Sequence, residues 1–285
     1  MHRFYKTTAL ILLIVLNAPA ARPGLYARNS EDITGNGSYP KYRIYPQDDI
    51  LFCTGDDIAG RENNKAAVLM QEGKWDEAAS ILEKAIIHAP LFFPFRYNLG
   101  ICLLYLNRLD LSLMHFTKAI HLVPGYYRTY LQVGYIYNRW GKESEALRYF
   151  RKALKLNPRE LNTYILMGDI HFDRKQLSTA RKYYEAALSL NHTFPNGLLG
   201  LAKIHFINEE YVKAIVLIKS VDTKEDYDKA LHYYYAESSY KTGDYKTAAV
   251  QYEKLLQYKN DRFFLINSAL LIKHKLELSR RFAER

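Results

Sequence analysis

Small and apolar residues recur along this chain at a constant interval of 34 positions between residues 59 and 262. One series of small residues keeps step through six consecutive intervals: Ala78, Ser112, Ala146, Ala180, Ala214 and Ala248. Prolines at the same spacing close the first three intervals, at Pro90, Pro124 and Pro158. Self-similarity at a fixed period of this length is typical of repeat architectures, in which each unit buries its apolar face against its neighbours.

Each interval predicts two antiparallel helices, called A and B here, that cross closely. A close crossing requires a small residue on helix A and a large one on helix B that fills the remaining space. The small positions on helix A are Ala66, Gly100, Gly134, Gly168, Ala202 and Ala236, and the large positions on helix B are Leu82, Phe116, Phe150, Tyr184, Ile218 and Tyr252. Gly73, Gly141 and Gly243 mark the A–B turn, and proline stops helix B because it has no amide hydrogen to donate.

This pattern resembles the tetratricopeptide repeat family, most completely in the units that begin at Phe93 and Tyr127. The resemblance implies an all-α fold, a right-handed α-solenoid of tandem helix-turn-helix units. The six predicted units are residues 59–92, 93–126, 127–160, 161–194, 195–228 and 229–262. A helix within 263–285 is expected to cap the stack, since a solenoid needs a terminal helix with a polar outer face. Val221 and the charged residues after it predict a shorter second helix in the fifth unit.

The first twenty residues have the composition of an export signal. Arg3 and Lys6 precede an apolar run at residues 9–16, and the small residues at 18–20 offer a cleavage site near Ala20. We therefore expect an exported protein of the periplasm, the cell envelope or the secreted fraction, with an uncleaved N-terminal anchor as the alternative. Residues 21–58 contain helix-breaking Gly and Pro and are predicted to form an irregular leader.

The formal net charge of +10 would suit a nucleic-acid or acidic membrane partner. Basic residues such as Arg148 and Arg151, however, alternate with Glu143 and Glu145 on the outer faces of the predicted helices. Mixed signs at helical spacing are typical of a solvated surface. We therefore expect no nucleic-acid partner, and contact of the basic residues after 263 with an acidic membrane surface is the less favoured interpretation of that segment.

The sequence contains no motif for catalysis, a metal or a cofactor, and a non-enzymatic protein is predicted. His171 and His205 are 34 residues apart, which allows a paired metal or proton site. We favour hydrogen-bonded imidazoles within each helix pair, because no Cys or second His lies beside either at ligand spacing. The two cysteines, Cys53 and Cys102, are too few for a disulfide framework, and two inert thiols are favoured over a bridge.

Fixed places on helix A of each unit line the inner wall of a solenoid, and here these places carry apolar and aromatic residues with a few charges. Such a stripe is typical of a groove for an extended or helical segment. The alternative is that the rings cover their own neighbours. The predicted contact residues are Tyr97, Ile101, Arg128, Tyr135, Asn138, Asp169, Phe172, Lys203, Phe206 and Tyr240.

Some members of the family grip a C-terminal carboxylate through Lys, Asn and Arg residues at set places in three successive units. The matching positions in this chain are Asn63, Ala67, Asn98, Arg128 and Gln132. Since two cations of that clamp are replaced, most of its charge-assisted binding is lost and a carboxylate ligand is disfavoured.

The sequence thus predicts an exported protein-binding scaffold whose partner is a protein or peptide segment. Two alternatives stay open at this point. One is an envelope module that binds glycan or lipid through the aromatic wall, and the other is an intracellular regulator or RNA-associated repeat protein, which would require that residues 1–20 are not a signal.

Overall fold

A computed structural model describes residues 44–54, 57–221, 229–257 and 266–284 of the 285-residue chain, with side chains in the last helix from residue 269 onward. The predicted signal peptide at residues 1–20 and most of the predicted leader lie outside the described residues. None of the described helices combines the length and the apolar character that a membrane crossing requires.

Residues 44–53 form a β-hairpin rather than the irregular leader predicted for them. Strand β1, Ile44–Gln47, pairs antiparallel with strand β2, Ile50–Cys53, and Asp48 and Asp49 form the turn. The turn requires a left-handed backbone at Asp48, whose φ is 53°. The prediction failed because Gly and Pro dominate the sequence before residue 44 and hide four consecutive buried residues in β2.

The rest of the described chain is helical, in six consecutive pairs followed by one helix, as predicted for an all-α tandem repeat of the solenoid class. The helices are α1 Ile58–Gln71, α2 Trp75–His88, α3 Phe93–Tyr105, α4 Leu109–Leu122, α5 Tyr127–Arg139, α6 Glu143–Leu156, α7 Leu161–Asp173, α8 Leu177–Leu190, α9 Pro195–Ile207, α10 Tyr211–Lys219, α11 Lys229–Thr242, α12 Tyr245–Leu256 and α13 Ile266–Ala283. Helix α10 has nine residues, and the predicted shortening of the fifth pair is therefore confirmed.

The two helices of a pair approach as closely as the small residues on helix A allow. A methyl group added at Gly134 would lie 2.5 Å from the ring of Phe150 on the facing helix. The same contact joins Gly100 with Phe116, at 2.7 Å. A side chain at either glycine would force the helices apart, which explains why these positions stay small along the repeat.

The A–B turn has a left-handed residue at the same place in every pair. It is glycine in three pairs, and in the other three it is Asn107, Lys175 and Glu209, with φ of 60–62°. The positive φ is needed because the amide of the following residue bonds back to the end of helix A, as in the bond from Lys142 N to Tyr137 O.

The chain divides into two compact units, which are called the N-terminal unit, described over residues 44–160, and the C-terminal unit, described over residues 161–284. The N-terminal unit contains the hairpin and α1–α6, and its core joins β2 residues to the first helix pairs. The C-terminal unit contains α7–α13, and its last core cluster includes Ile272 and Leu276 of α13 packed with Tyr252 of α12.

Candidate functional site

Three carboxamide side chains in the N-terminal unit are spaced by 34 residues and bind alternate residues of β2. Asn64, on α1, donates to the carbonyl of Cys53 at 2.7 Å and accepts from its amide at 3.0 Å. Asn98, on α3, makes the same two bonds to Leu51, each at 2.8 Å. Gln132, on α5, completes this set, which we call the amide ladder, with a side-chain hydrogen bond to Asp49.

The amide ladder works because two periods coincide. The repeat places an amide on successive A helices, while every second residue of a strand directs its main-chain groups to the same edge. Strand β2 therefore pairs with β1 along one edge and with side chains of the helices along the other. The main-chain groups of Leu51 and Cys53 are satisfied although both residues are buried, which avoids the cost of unpaired polar groups.

Two further side chains bind the hairpin, and both lie at positions that match the carboxylate clamp of some family members. Asn63 donates to the carbonyl of Leu51 at 2.8 Å and accepts from Asn98 at 3.0 Å. Arg128 donates to the carbonyl of Asp48 at 2.6 Å, and its guanidinium lies 3.6 Å from the carboxylate of Asp49. These clamp positions thus hold the main chain and one acidic side chain of the protein's own hairpin.

The carboxyl group of Asp49 sits in a strained electrostatic position. Burial, together with the nearby Glu160 and Asp48, raises its pKa to about 6, although Arg128 and the hydrogen bond from Gln132 act in the opposite direction. The ionised carboxylate is therefore costly in the docked hairpin, even with an arginine beside it.

The predicted contact residues of the N-terminal unit divide into buried and accessible ones. We expected all inner-wall residues to face solvent, and this is wrong for Tyr97, Ile101 and Arg128, which are at most 5% exposed. Tyr97 packs against neighbouring rings, with its centroid 5.3 Å from that of Tyr126, and Ile101 belongs to the core that includes Leu51. Tyr135 and Asn138 are half-buried and remain accessible.

In the C-terminal unit, Asp169 joins residues of three helices. The hydroxyl of Tyr184, on α8, donates to Asp169 at 2.7 Å, and the ammonium group of Lys203, on α9, lies 3.5 Å from the same carboxylate oxygen. Lys203 also lies 5.9 Å from the ring centre of Phe172. Phe172 and Lys203 are buried by these contacts, so the expectation that they face solvent is also wrong.

The same arrangement recurs 68 residues later. Tyr252 donates to the carboxylate of Glu237 at 2.8 Å, and Lys275, on α13, reaches both oxygens of Glu237 at 2.5 and 2.6 Å. Burial and the adjacent carboxylate raise the pKa of Tyr252 far above its usual range, so this hydroxyl remains a donor. Lys275 thus binds α13 to the sixth pair as Lys203 binds α9 to the fourth.

Two predicted contact residues of the C-terminal unit remain half-buried. Phe206 packs edge-on against Tyr211 and Tyr234, with centroids 5.6 and 5.2 Å apart. Tyr240 packs against Tyr245 at 5.5 Å. Each ring covers neighbours and also contributes to the surface, so the two interpretations of the aromatic stripe both apply here.

The two repeat-spaced histidines close their A–B turns. Nδ1 of His171 lies 2.6 Å from Gln176 Oε1, and Nδ1 of His205 lies 2.6 Å from Glu210 Oε2. In the part of the chain that the structure describes, no three His, Cys, Asp or Glu side chains are grouped as metal ligands. Cys53 and Cys102 are free and buried, and burial raises the pKa of the Cys102 thiol to about 12, which makes it unreactive.

The sequence contained a signal for the amide ladder that the inner-wall positions did not capture. Asn64, Asn98 and Gln132 are spaced by 34 residues, but the series ends there, because the same place is Leu166, Gly200 and Tyr234 in the next three pairs. An amide series confined to three of six units could have indicated a ligand specific to those units.

Comparisons with known proteins support the repeat assignment. Residues 63–127 match one tetratricopeptide repeat model, and residues 127–160 and 161–193 match another. A search of curated protein sequences finds no match to the chain.

Solved structures with the same fold include PilF of Pseudomonas aeruginosa, which is 18% identical, covers 76% of this chain and 97% of its own, and superposes with a TM-score of 0.64. PilW, a type IV pilus biogenesis factor, is 16% identical over 76% of this chain and all of its own, with a TM-score of 0.62. A tetratricopeptide repeat protein of Parabacteroides merdae is 18% identical over 78% of this chain and 98% of its own, with a TM-score of 0.58. At these identities the likeness is one of fold. Together with the 34-residue helix pairs, these matches show that the chain belongs to the tetratricopeptide repeat family.

Proposed function

We propose that this protein is an exported, non-enzymatic scaffold that holds a peptide or helical segment of another protein on the inner wall of its helix pairs. The observation that carries the proposal is the amide ladder, because it binds an extended main chain at every second residue. Tetratricopeptide repeat proteins generally act as interaction scaffolds without catalysis, and the family models that match this chain are repeat models.

Accessible rings on the inner wall supply the apolar part of the proposed contact. Tyr135 and Asn138 serve this role in the N-terminal unit, and Phe206 and Tyr240 serve it in the C-terminal unit. Half-buried aromatic residues are suited to binding since they are already held in place by their neighbours and lose little conformational entropy. Asp169 and Lys203 set the charge beside them, although most of that charge is satisfied internally.

Export to the periplasm or the cell envelope, with cleavage near Ala20, is part of the proposal. PilF and PilW share the fold, and a role in assembling an envelope structure, as for the pilus biogenesis factor PilW, would agree with the signal-like N-terminus. An alkaline phosphatase fusion after residue 60 should be active in the native host. An inactive but stable fusion would favour the intracellular alternative.

The binding proposal is tested with a photo-crosslinking residue at position 240 of the full chain in the native host. We expect one dominant adduct, which is lost when Phe206 and Tyr135 are changed to alanine. The matched control changes the exposed Val212 and Val250, on α10 and α12, to alanine and should leave the adduct intact. The same adduct from both variants would show that the inner wall does not hold the partner.

A further inference from the structure

The amide ladder already has an occupant, and that occupant belongs to the same chain. Hydrogen bonds from Asn64, Asn98, Asn63 and Arg128 end on the hairpin, on main-chain groups that a bound peptide would otherwise present. The hairpin makes these contacts across large separations in sequence, 47 residues for Asn98 and 80 for Arg128.

The occupant cannot come from a second copy of this chain without dismantling the site. Four residues separate Cys53 from the start of α1 at Ile58, and α1 itself contributes Asn63 and Asn64 to the site. This short connection keeps the hairpin at a high effective concentration beside its own ladder. The hairpin is therefore a tethered internal ligand.

Three features make this internal ligand displaceable. Its strands have four residues each, and a two-stranded hairpin of that length is marginally stable outside its site. The turn holds Asp48 in a left-handed conformation that costs a residue other than glycine about 1 kcal/mol. The carboxylate of Asp49 is buried at the expense of its ionised form.

We propose that the hairpin closes the amide ladder until a partner strand of the same chemistry displaces it, an inference that rests on the scaffold function proposed above. The partner strand carries a carboxylate where Asp49 faces Arg128, an apolar residue two positions later in place of Leu51, and a small apolar residue after two more in place of Cys53. Both apolar positions are at most 1% exposed, so a polar or bulky residue there is rejected.

The probe for this proposal is a fluorescein-labelled peptide with the sequence of residues 47–54 and serine in place of Cys53. Its affinity for the full-length protein is measured by fluorescence anisotropy. The wild-type chain should bind it weakly, because the tethered hairpin occupies the ladder for most of the time and lowers the apparent affinity by that fraction.

A full-length variant with Leu51→Arg releases the hairpin, since an arginine cannot be buried at that position. We expect this variant to bind the probe at least about tenfold more tightly than the wild type, because the ladder is then open. Adding Asn98→Ala should remove the gain. Adding Leu166→Ala, at the same place in the fourth pair, should not. Circular dichroism verifies that each variant keeps its helices.

A covalent lock gives an independent measurement that does not depend on the folding of the Leu51→Arg variant. In Asn64→Cys, the new thiol faces Cys53, whose sulfur lies 3.6 Å from the Asn64 side chain, and oxidation joins the hairpin to α1. We expect the oxidised protein not to bind the probe and the reduced protein to bind it. Cys102 does not interfere because it is fully buried.

The outcomes separate this inference from the function on which it rests. Equal probe affinity in the wild type and the folded Leu51→Arg variant, or no difference between the oxidised and reduced lock, overturns the displacement inference alone. The scaffold proposal is decided by the crosslink at position 240, which lies in the C-terminal unit and does not involve the hairpin. Loss of dependence on the inner wall in that experiment would remove both.

Discussion

The two units are built from the same helix pair, yet they satisfy their inner-wall polar groups differently. In the N-terminal unit, side-chain amides and Arg128 bind the main chain of a strand. In the C-terminal unit, Asp169 and Glu237 are each held by a tyrosine and a lysine of adjacent helices. One repeat thus supports two kinds of inner wall. The first binds a segment from outside the repeat, and the second joins one repeat to the next.

This difference follows from a few positions in each repeat. The small and large residues that set the helix crossing are common to both units, whereas the ladder place changes from amides to Leu166, Gly200 and Tyr234. A hydrophobic or absent side chain cannot pair with a strand edge. The comparison indicates that binding chemistry in this repeat is set independently of packing.

The largest expected effect concerns the buried ion pair of the C-terminal unit. Lys275→Ala leaves Glu237 with a buried carboxylate and no cation, which should lower the free energy of unfolding by about 3 kcal/mol. Urea unfolding followed by circular dichroism measures this loss. Tryptophan fluorescence serves as the comparison, since Trp75 and Trp140 both lie in the N-terminal unit.

The matched control for that variant is Lys213→Ala, which breaks the exposed pair with Glu210. Exposed pairs contribute little because solvent screens them, so we expect no measurable change. If both lysine variants unfolded at the same urea concentration, the buried cluster would not be what binds α13 to the sixth pair.

Removing the central rung of the ladder should have the next largest effect. Asn98→Ala deletes both bonds to Leu51 and leaves a buried amide unpaired, at a cost of about 2 kcal/mol. Tryptophan fluorescence during urea unfolding should detect the loss in the N-terminal unit. Leu166→Ala, in the C-terminal unit, should leave that fluorescence transition in place, and a shift of equal size would argue against separate roles for the two inner walls.

The docked hairpin should also depend on pH, and only in the N-terminal unit. Because the pKa of Asp49 is raised from 3.8 to about 6 in the folded state, the folded form binds the proton more tightly than the unfolded form. The stabilisation is therefore complete below pH 4 and is lost as the pH rises through 6, a difference of about 2 kcal/mol.

Hydrogen exchange of the Leu51 and Cys53 amides measures this effect, with slower exchange, corrected for intrinsic rates, expected at pH 5 than at pH 7. Asp49→Asn removes the titrating group and should abolish the dependence while Arg128 keeps its bond to the carbonyl of Asp48. Protection that instead increased from pH 5 to pH 7 would mean that the ion pair with Arg128 outweighs burial.

The smallest expected effect tests a feature that both units share. Gly141→Ala forces a side chain into a left-handed turn with φ of 69° and should lower the stability by about 1 kcal/mol, although no atom lies near the new methyl group. Gly125→Ala is the control, because Gly125 is equally open but has no positive φ. Thermal unfolding compares the two. Equal melting temperatures would show that the turn relaxes.

Much of the fold could be predicted because its determinants are repeated. The Gly134–Phe150 contact is one member of a series, so the sequence displays it several times, and the short α10 follows from a visible interruption at Val221. The candidate site was harder to predict. The inner-wall places of Tyr97 and Phe172 were recognised, but their burial was not, since it depends on which neighbours close over them.

The sequence by itself determined the helix pairs, their small and large contacts and the turns between them, because each of these depends on residues within about 34 positions of one another. Only the tertiary structure decided what lies on the inner wall. A strand of four residues carries too weak a local preference to be recognised, and its partners, Asn98 and Arg128, lie 47 and 80 residues away. Main-chain hydrogen bonds to such distant side chains leave no periodic pattern, and they appear only when the folded helices bring the amides into line.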